Sequence, residues 1–228
     1  DQNQSIEGAV LVVAGGCFWC TEHDMEKLKG VNKAVSGYIG GSEDKASYDY
    51  VSSGRTQHRE AVLVDYDTEI TTYRSLVDGF LKTIDPTDNK GQFADRGAHY
   101  APAIYYQTSE ELEQANRALD EIKPLFTESL KVDLLPIENF YAAEDYHQDY
   151  YKKSFSSLKY KYYRNASGRD DFIEKYWKDD TDASLSWRNT DSSETNNSAW
   201  ADFVKPSEEV LKVNLTDIQY KVTQKNGT

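Results

Sequence analysis

Residues 10–20 read Val-Leu-Val-Val-Ala-Gly-Gly-Cys-Phe-Trp-Cys and hold both cysteines of a 228-residue chain. The β-branched run Val10–Ala14 suits a buried strand, and the paired glycines permit a tight turn. The segment from Thr21 to Lys29 has a helical character, which puts Cys17 near a helix start. Unpaired N–H groups and the positive dipole end at such a point favour thiolate over thiol. The expectation is a nucleophilic Cys17 on a strand-to-helix turn. Two buried structural thiols are the alternative, and a Phe18-Trp19 pair between cysteines after Gly-Gly argues against them.

What the chain can bind is narrowed by charge. With 26 Lys and Arg against 39 Asp and Glu, its formal charge is −13. Nucleic acid and anionic membrane surfaces are therefore poor partners. No apolar run is long enough to span a bilayer, and Gly-x-Gly-x-x-Gly, the mark of a dinucleotide site, is absent. Asp1 stands where an initiator methionine would, which raises the expectation that something upstream has been removed, either a leader or anchor segment or part of an expressed sequence.

Strand-like and helix-like segments alternate over about two-thirds of the chain, which predicts an α/β or α+β domain over 1–178. Strands are expected at Val31–Tyr38, Ala61–Tyr66, Ala103–Tyr106 and Val132–Leu135, with a turn-rich loop at Gly37–Gly41. Helices are expected at Tyr73–Thr83, after a capping box from Thr108 to Glu111, and at Glu144–Lys153. Residues 179–203, rich in Asp, Ser, Thr and Asn, read as a polar linker. Residues 204–228 are too short to make a domain.

A reactive thiol needs a proton donor. Glu60, at the mouth of the apolar strand Ala61–Tyr66, is a candidate general acid if burial keeps it protonated. A solvated strand-edge charge is the alternative. Asp95–Tyr100 reads equally as a polar turn, and Glu144–Tyr150 equally as a solvated helix face. Zinc is the rival chemistry, through Cys17-x-x-Cys20-x-x-His23, but no fourth ligand is near in sequence. Thr21 after Cys20 breaks the haem-attachment pattern. A thioredoxin-like carrier also uses Cys-x-x-Cys, usually around small residues or proline. Phe18 and Trp19 instead offer apolar surface for a small alkyl group.

Taken together, these fragments resemble the methionine sulfoxide reductase A family. The resemblance rests on Gly16-Cys17-Phe18-Trp19, Gly37-Tyr38-x-Gly40-Gly41, Tyr48, Gly54-x-Thr56-x-His58-x-Glu60, Asp95-x-Gly97-x-x-Tyr100 and Ala143-Glu144-Asp145-x-His147-Gln148-x-Tyr150, in order between Val10 and about Lys153. It implies a mixed-sheet α/β roll on a split βαβ, ferredoxin-like core, and reduction of the S epimer of methionine sulfoxide, free or in proteins. It also implies Cys17 as nucleophile, Glu60 as proton donor, and Tyr48 and Tyr150 as hydroxyl donors to the sulfoxide oxygen. Phe18 and Trp19 would receive the terminal methyl, with Asp95 and Tyr100 lining the same pocket. No metal or organic cofactor is implied. Many relatives carry a recycling cysteine in a glycine-rich tail, which this chain lacks, and have glycine where Cys20 stands. Positions three apart on a helix lie about 5–6 Å apart, within disulfide range. Cys20 is thus the expected resolving thiol, and a thioredoxin-type protein the expected reductant.

Lys205–Glu209 and Leu215–Gln224 resemble the start of the sister family, methionine sulfoxide reductase B. The expected context is a fused reductase, exported to the periplasm or cell surface, with a cytoplasmic enzyme as the alternative. A module that binds oxidised methionine without catalysis is the rival reading; a catalyst would consume both thiols per turnover, a binder none.

Overall fold

Strand β1 (Val10–Ala14) is buried along its whole length, so it needs a hydrogen-bonded neighbour on both sides. In the computed structural model, which describes residues 8–153 and 156–178, it has β3 (Arg59–Tyr66) on one side and β6 (Ala103–Tyr106) on the other, both antiparallel. Helix α1 (Phe18–Glu26) leads from β1 to β2 (Val31–Ile39), which pairs with the far edge of β3. β1 and β2 are therefore parallel with β3 between them, the split βαβ arrangement. Strand β7 (Asp133–Pro136) joins β6 in parallel, and β8 (Phe140–Ala142) joins β2, giving the mixed order β7-β6-β1-β3-β2-β8. A two-stranded ribbon of β4 (Gly91–Gln92) and β5 (Asp95–Arg96) stands apart from it.

One face of the sheet carries Val10, Val12, Leu63, Ile39, Tyr105 and Phe140 in a single apolar cluster. A buried Val, Leu or Phe of this kind is worth about 1.5–3 kcal/mol relative to exposure. The remaining helices are α2 (Tyr48–Val51), α3 (Tyr73–Leu81), α4 (Ser109–Ile122), α5 (Ser156–Ser167) and α6 (Arg169–Trp177). The capping box that opens α4 forms as expected, with Thr108 Oγ1 accepting from Glu111 N and the Glu111 carboxylate from Thr108 N. Among the described residues, no helix is long and apolar enough to cross a membrane.

Three local expectations need correction. Helix α1 begins at Phe18, three residues earlier than the apolar pattern predicts. Gly37–Ile39 belongs to β2 rather than to a loop; a Cβ at Gly37 would lie 2.4 Å from the Tyr141 carbonyl, so glycine is there for close strand packing. Residues 145–152 form successive turns rather than a helix. Their polar side chains and backbone are bound to other elements, which overrides helical propensity. The expected linker 179–203 and the entry at 204–228 lie outside the described residues.

The turn after β1 depends on its glycines. Gly16 has φ +89°, and a Cβ there would lie 2.7 Å from Gln92 Cβ and 3.0 Å from Arg169 Nη2. Gly16→Ala combines left-handed backbone strain with a clash, and a loss of about 1–3 kcal/mol is expected. Urea denaturation of the variant checks this; a loss below about 0.5 kcal/mol would show that the turn relaxes freely.

Candidate active site

Cys17 is the N-cap of α1, so the helix begins with N–H groups that have no partner inside it. Carboxyl groups supply the partners. Phe18 N donates to Glu60 Oε2 at 3.0 Å, and the Cys17 N–H donates to the Asp95 carboxylate. Glu60 comes from the second position of β3, where strand pairing sets it opposite Tyr38, and Asp95 comes from β5. Both carboxyls are buried, and burial pushes both above the usual carboxylate range. Among the described residues, Glu60 Oε1 has no hydrogen-bond partner. The result is a neutral acid with a free oxygen beside the thiol, the form that a proton donor requires.

Burial also pushes the Cys17 thiol up, helped by the nearby Cys20, Asp95 and Glu60. This corrects the expectation that the helix start holds Cys17 as a thiolate. The dipole end is already engaged by two acids, and the surroundings are dry. Cys20 shifts the other way. The Cys17 thiol hydrogen-bonds to it, and the guanidiniums of Arg169 and Arg164 favour its thiolate, outweighing burial. Both thiols are free and buried.

Tyrosine hydroxyls close in around Cys17. Tyr48, on α2, and Tyr100, just before β6, both lie within electrostatic reach of Cys17, Glu60 and Asp95. Tyr150 senses Cys17 and is pushed up to about 12 by burial. All three hydroxyls therefore stay protonated and able to donate. Trp19 stacks on Tyr150 with ring centroids 3.9 Å apart and planes 8° from parallel. Phe18 packs at 5.8 Å from Tyr38 and 5.0 Å from His147. Cys17, Phe18, Trp19, Cys20, Tyr48, Glu60, Asp95, Tyr100 and Tyr150 thus come together from five separate segments. Among the described residues, no three His, Cys, Asp or Glu side chains are grouped to hold a metal ion.

The loop from 143 to 151 is fixed from several directions. Trp19 Nε1 donates to His147 Nδ1 at 3.1 Å, so His147 carries its proton on Nε2, 3.8 Å from Glu144 Oε2. Burial pushes His147 down to about 3, which keeps it neutral. The Glu144 carboxylate accepts from Tyr38 Oη at 2.9 Å and from Tyr48 N at 3.0 Å, tying three elements together. Gln148 grips the β2 backbone, accepting from Ser36 N at 3.0 Å and donating to Ser36 O at 2.9 Å. Next to it, Asp149 takes φ +52° and donates its N–H to Glu22 Oε1 at 2.8 Å. The motif here reads equally as a solvated helix face in sequence; in the fold its His147 is buried, Glu144, Gln148 and Asp149 are half-buried, and together they brace Tyr150.

The chemistry of the sequence pattern misses a further layer of residues. Tyr163 on α5 donates to Asp95 Oδ2, and Arg169 on α6 donates to Gly15 O and Thr83 O at 2.8 Å each. Arg164 donates to Asp24 Oδ1 at 2.6 Å and Asp170 Oδ1 at 2.8 Å. These contacts join positions up to 154 residues apart. Gly168, left-handed at φ +84° between two helical stretches, was the available signal of a helical hairpin.

Glu22 is buried, with Oε2 accepting from Ser36 Oγ at 2.8 Å, and burial raises its carboxyl from 4.5 to about 7. A carboxyl raised on folding favours the folded state most when protonated. Its contribution is full below about pH 4.5 and is lost as pH rises through 7, a change of about 3 kcal/mol. Glu22→Gln keeps the neutral shape and both hydrogen bonds. The variant should match wild type in stability at pH 4 and exceed it by about 3 kcal/mol at pH 8 in urea denaturation. Equal stability at both pH values would show that Glu22 does not titrate in this range.

A family profile described as peptide methionine sulfoxide reductase matches residues 9–181, beyond the Lys153 limit of the sequence motifs and across the α5–α6 hairpin. A Vibrio cholerae protein named peptide methionine sulfoxide reductase MsrA/MsrB is 46% identical over 222 residues, 95% of this chain. This chain spans only 57% of that protein's length. A Staphylococcus aureus protein named peptide methionine sulfoxide reductase MsrA 2 is 41% identical over 167 residues, 72% of this chain and 93% of that one. The fold is similar to the crystal structure of reduced Mxr1 from Saccharomyces cerevisiae, with TM-score 0.61, 32% identity, and coverage of 64% of this chain and 85% of that one. It is also similar to methionine sulfoxide reductase A of Corynebacterium diphtheriae, with TM-score 0.60, 28% identity, and coverage of 64% and 74%. On sequence, fold and site together, the chain belongs to the peptide methionine sulfoxide reductase family.

Proposed function

We propose that this chain reduces the S epimer of methionine sulfoxide, free or in proteins, to methionine. The observation that carries the reading is the neutral, buried Glu60, with one free oxygen, beside the free Cys17 thiol and three protonated tyrosines. The substrate oxygen lies toward Glu60, Tyr48 and Tyr150, its methyl against Phe18 and Trp19, with Asp95 and Tyr100 lining the same pocket. The Cys17 sulfur attacks the sulfoxide sulfur while Glu60 gives its proton to the oxygen. The resulting carboxylate takes the proton that Cys17 releases, so the high thiol pKa is met by a base made in the same step. The S–O bond of the adduct then breaks with loss of the oxygen as water, leaving a Cys17–sulfonium bond. Water attacks the Cys17 sulfur, the S–S bond breaks, and methionine leaves with Cys17 as sulfenic acid. Cys20 then displaces the sulfenic oxygen as water and forms the Cys17–Cys20 disulfide, and a thioredoxin-type dithiol returns both thiols. No step needs a metal or organic cofactor.

The assignment of epimer and reductant rests on the resemblance to the family. The fused context is supported by the MsrA/MsrB name of the Vibrio cholerae relative, and residues 204–228 would lead into the second reductase domain. Export to the periplasm or cell surface belongs to the same proposal, and cell fractionation checks it.

Two variants test the chemistry. Glu60→Gln should slow single-turnover sulfoxide reduction by about 10²- to 10⁴-fold near neutral pH, the usual contribution of a positioned acid; a rate within about threefold of wild type would remove Glu60 from the mechanism. Cys20→Ser should complete one reduction and stall with Cys17 as sulfenic acid, whereas Cys17→Ser should complete none. A Cys20→Ser enzyme that sustains thioredoxin-driven turnover would exclude Cys20 as resolving thiol.

A further inference from the structure

A disulfide between Cys17 and Cys20 can be opened at either sulfur, and the two ends lie in different surroundings. Thiol–disulfide exchange is in-line: the incoming sulfur approaches along the S–S axis, on the far side from the sulfur that leaves. Around Cys17 lie the Glu60 carboxyl and the hydroxyls of Tyr48, Tyr100 and the hairpin's Tyr163, where the sulfoxide is proposed to enter, and Cys17 is 7% exposed. Beyond Cys20, 1% exposed, lies the α5–α6 hairpin, with Tyr160, Arg164 and Arg169 all buried in it. That hairpin is fastened down. Arg164 is held by Asp24, Asp170 and the Tyr160 hydroxyl, and Arg169 by the carbonyls of Gly15 and Thr83. An attack on Cys20 would have to displace two guanidiniums held by these hydrogen bonds.

We propose that the recycling reductant attacks Cys17, and that Cys20 leaves as a thiolate beside the fixed guanidiniums of Arg169 and Arg164. This rests on the Cys17–Cys20 disulfide cycle proposed above. The reductant thiolate forms a bond to Cys17 sulfur as the S–S bond breaks, and the electron pair goes to Cys20. The reductant's second thiol then attacks its own bonded sulfur, which oxidises the reductant to a disulfide and releases Cys17, reprotonated by Glu60. Leaving groups of lower pKa depart faster. With Cys17 bonded to the reductant its thiol hydrogen bond to Cys20 is gone, and the buried arginines remain to favour the thiolate at Cys20, whereas burial above all, with Asp95 and Glu60, disfavours it at Cys17. Access and leaving-group chemistry therefore select the same sulfur. The same cations also favour the thiolate form of Cys20 in its earlier attack on the Cys17 sulfenic acid.

The test uses the wild-type chain and a thioredoxin whose second active-site cysteine is serine. The enzyme is oxidised with N-acetylmethionine sulfoxide, and its mass is measured. It is then mixed with the thioredoxin, acid-quenched within seconds, alkylated and mapped by tandem mass spectrometry. The expected result is a loss of two hydrogens on oxidation, then thioredoxin joined to Cys17 with Cys20 alkylated. Thioredoxin joined to Cys20 after the same mass loss would overturn the inference and leave the disulfide cycle standing. No mass loss would overturn the cycle and the inference with it. A second measurement compares disulfide reduction by dithiothreitol with single-turnover sulfoxide reduction. Arg169→Gln should lower the ratio of the two rates by about tenfold, and Arg169→Lys, which keeps the charge, should largely restore it. A purely structural role for Arg169 would lower both rates together and leave the ratio unchanged, which would remove Arg169 from the leaving-group role.

Discussion

The start of helix α1 is the point on which the site depends. A helix that begins at a buried turn must find partners for its first N–H groups. Here the partners are the carboxyls of Glu60 and Asp95, one from the middle of the sheet and one from the small ribbon. The same two bonds satisfy the helix and set both acids beside the Cys17 sulfur. Gly15 and Gly16 make the turn tight enough for this: side chains there would collide with Phe80 and Ile84 on one side and Gln92 and Arg169 on the other. Fold and site therefore share one device.

Burying that device has a cost in polar groups, and the structure meets it by pairing. Helix α1 is buried nearly all round its first two turns, with Glu22 and Asp24 inside. Unpaired, each would be strongly unfavourable. Asp24 is paired with Arg164 and His23, and its carboxyl is held below the usual range. Glu22 is met only by neutral donors and is held above it. Two carboxylates two residues apart on one helix are thus driven in opposite directions by what faces them. The outcome is useful on both sides: Asp24 anchors the hairpin that roofs Cys20, and Glu22 anchors the loop that carries Tyr150.

The thiols follow the same logic. They stand one helical turn apart, yet Cys17 faces acids and phenols while Cys20 faces guanidiniums. A pair that is symmetrical in sequence becomes polarised by elements brought from far along the chain. That polarity suits the separate tasks proposed for the two sulfurs, the first to meet the substrate and the second to attack and then leave as a thiolate.

Sequence alone determined the strand–turn–helix around Cys17, the apolar strands β1, β3 and β6 and the α4 capping box, because each rests on local periodicity, glycine freedom or short-range hydrogen bonds. The family resemblance singled out Tyr48, Tyr100 and Tyr150 beside Cys17 and Glu60, and the fold brings these five together. The tertiary structure decided what these groups are like. Whether Glu60 is a solvated charge or a neutral acid, and which cysteine favours the thiolate, depends on burial and on charges from distant segments. Glu144–Lys153 carries helical spacing, yet it is held in turns by Glu22, Ser36 and Trp19, contacts that no local pattern encodes. Tyr163, Arg164 and Arg169 left no chemical signature in the chain; they matter only because α5 and α6 fold back onto α1, and long-range packing is the one interaction a linear pattern does not record.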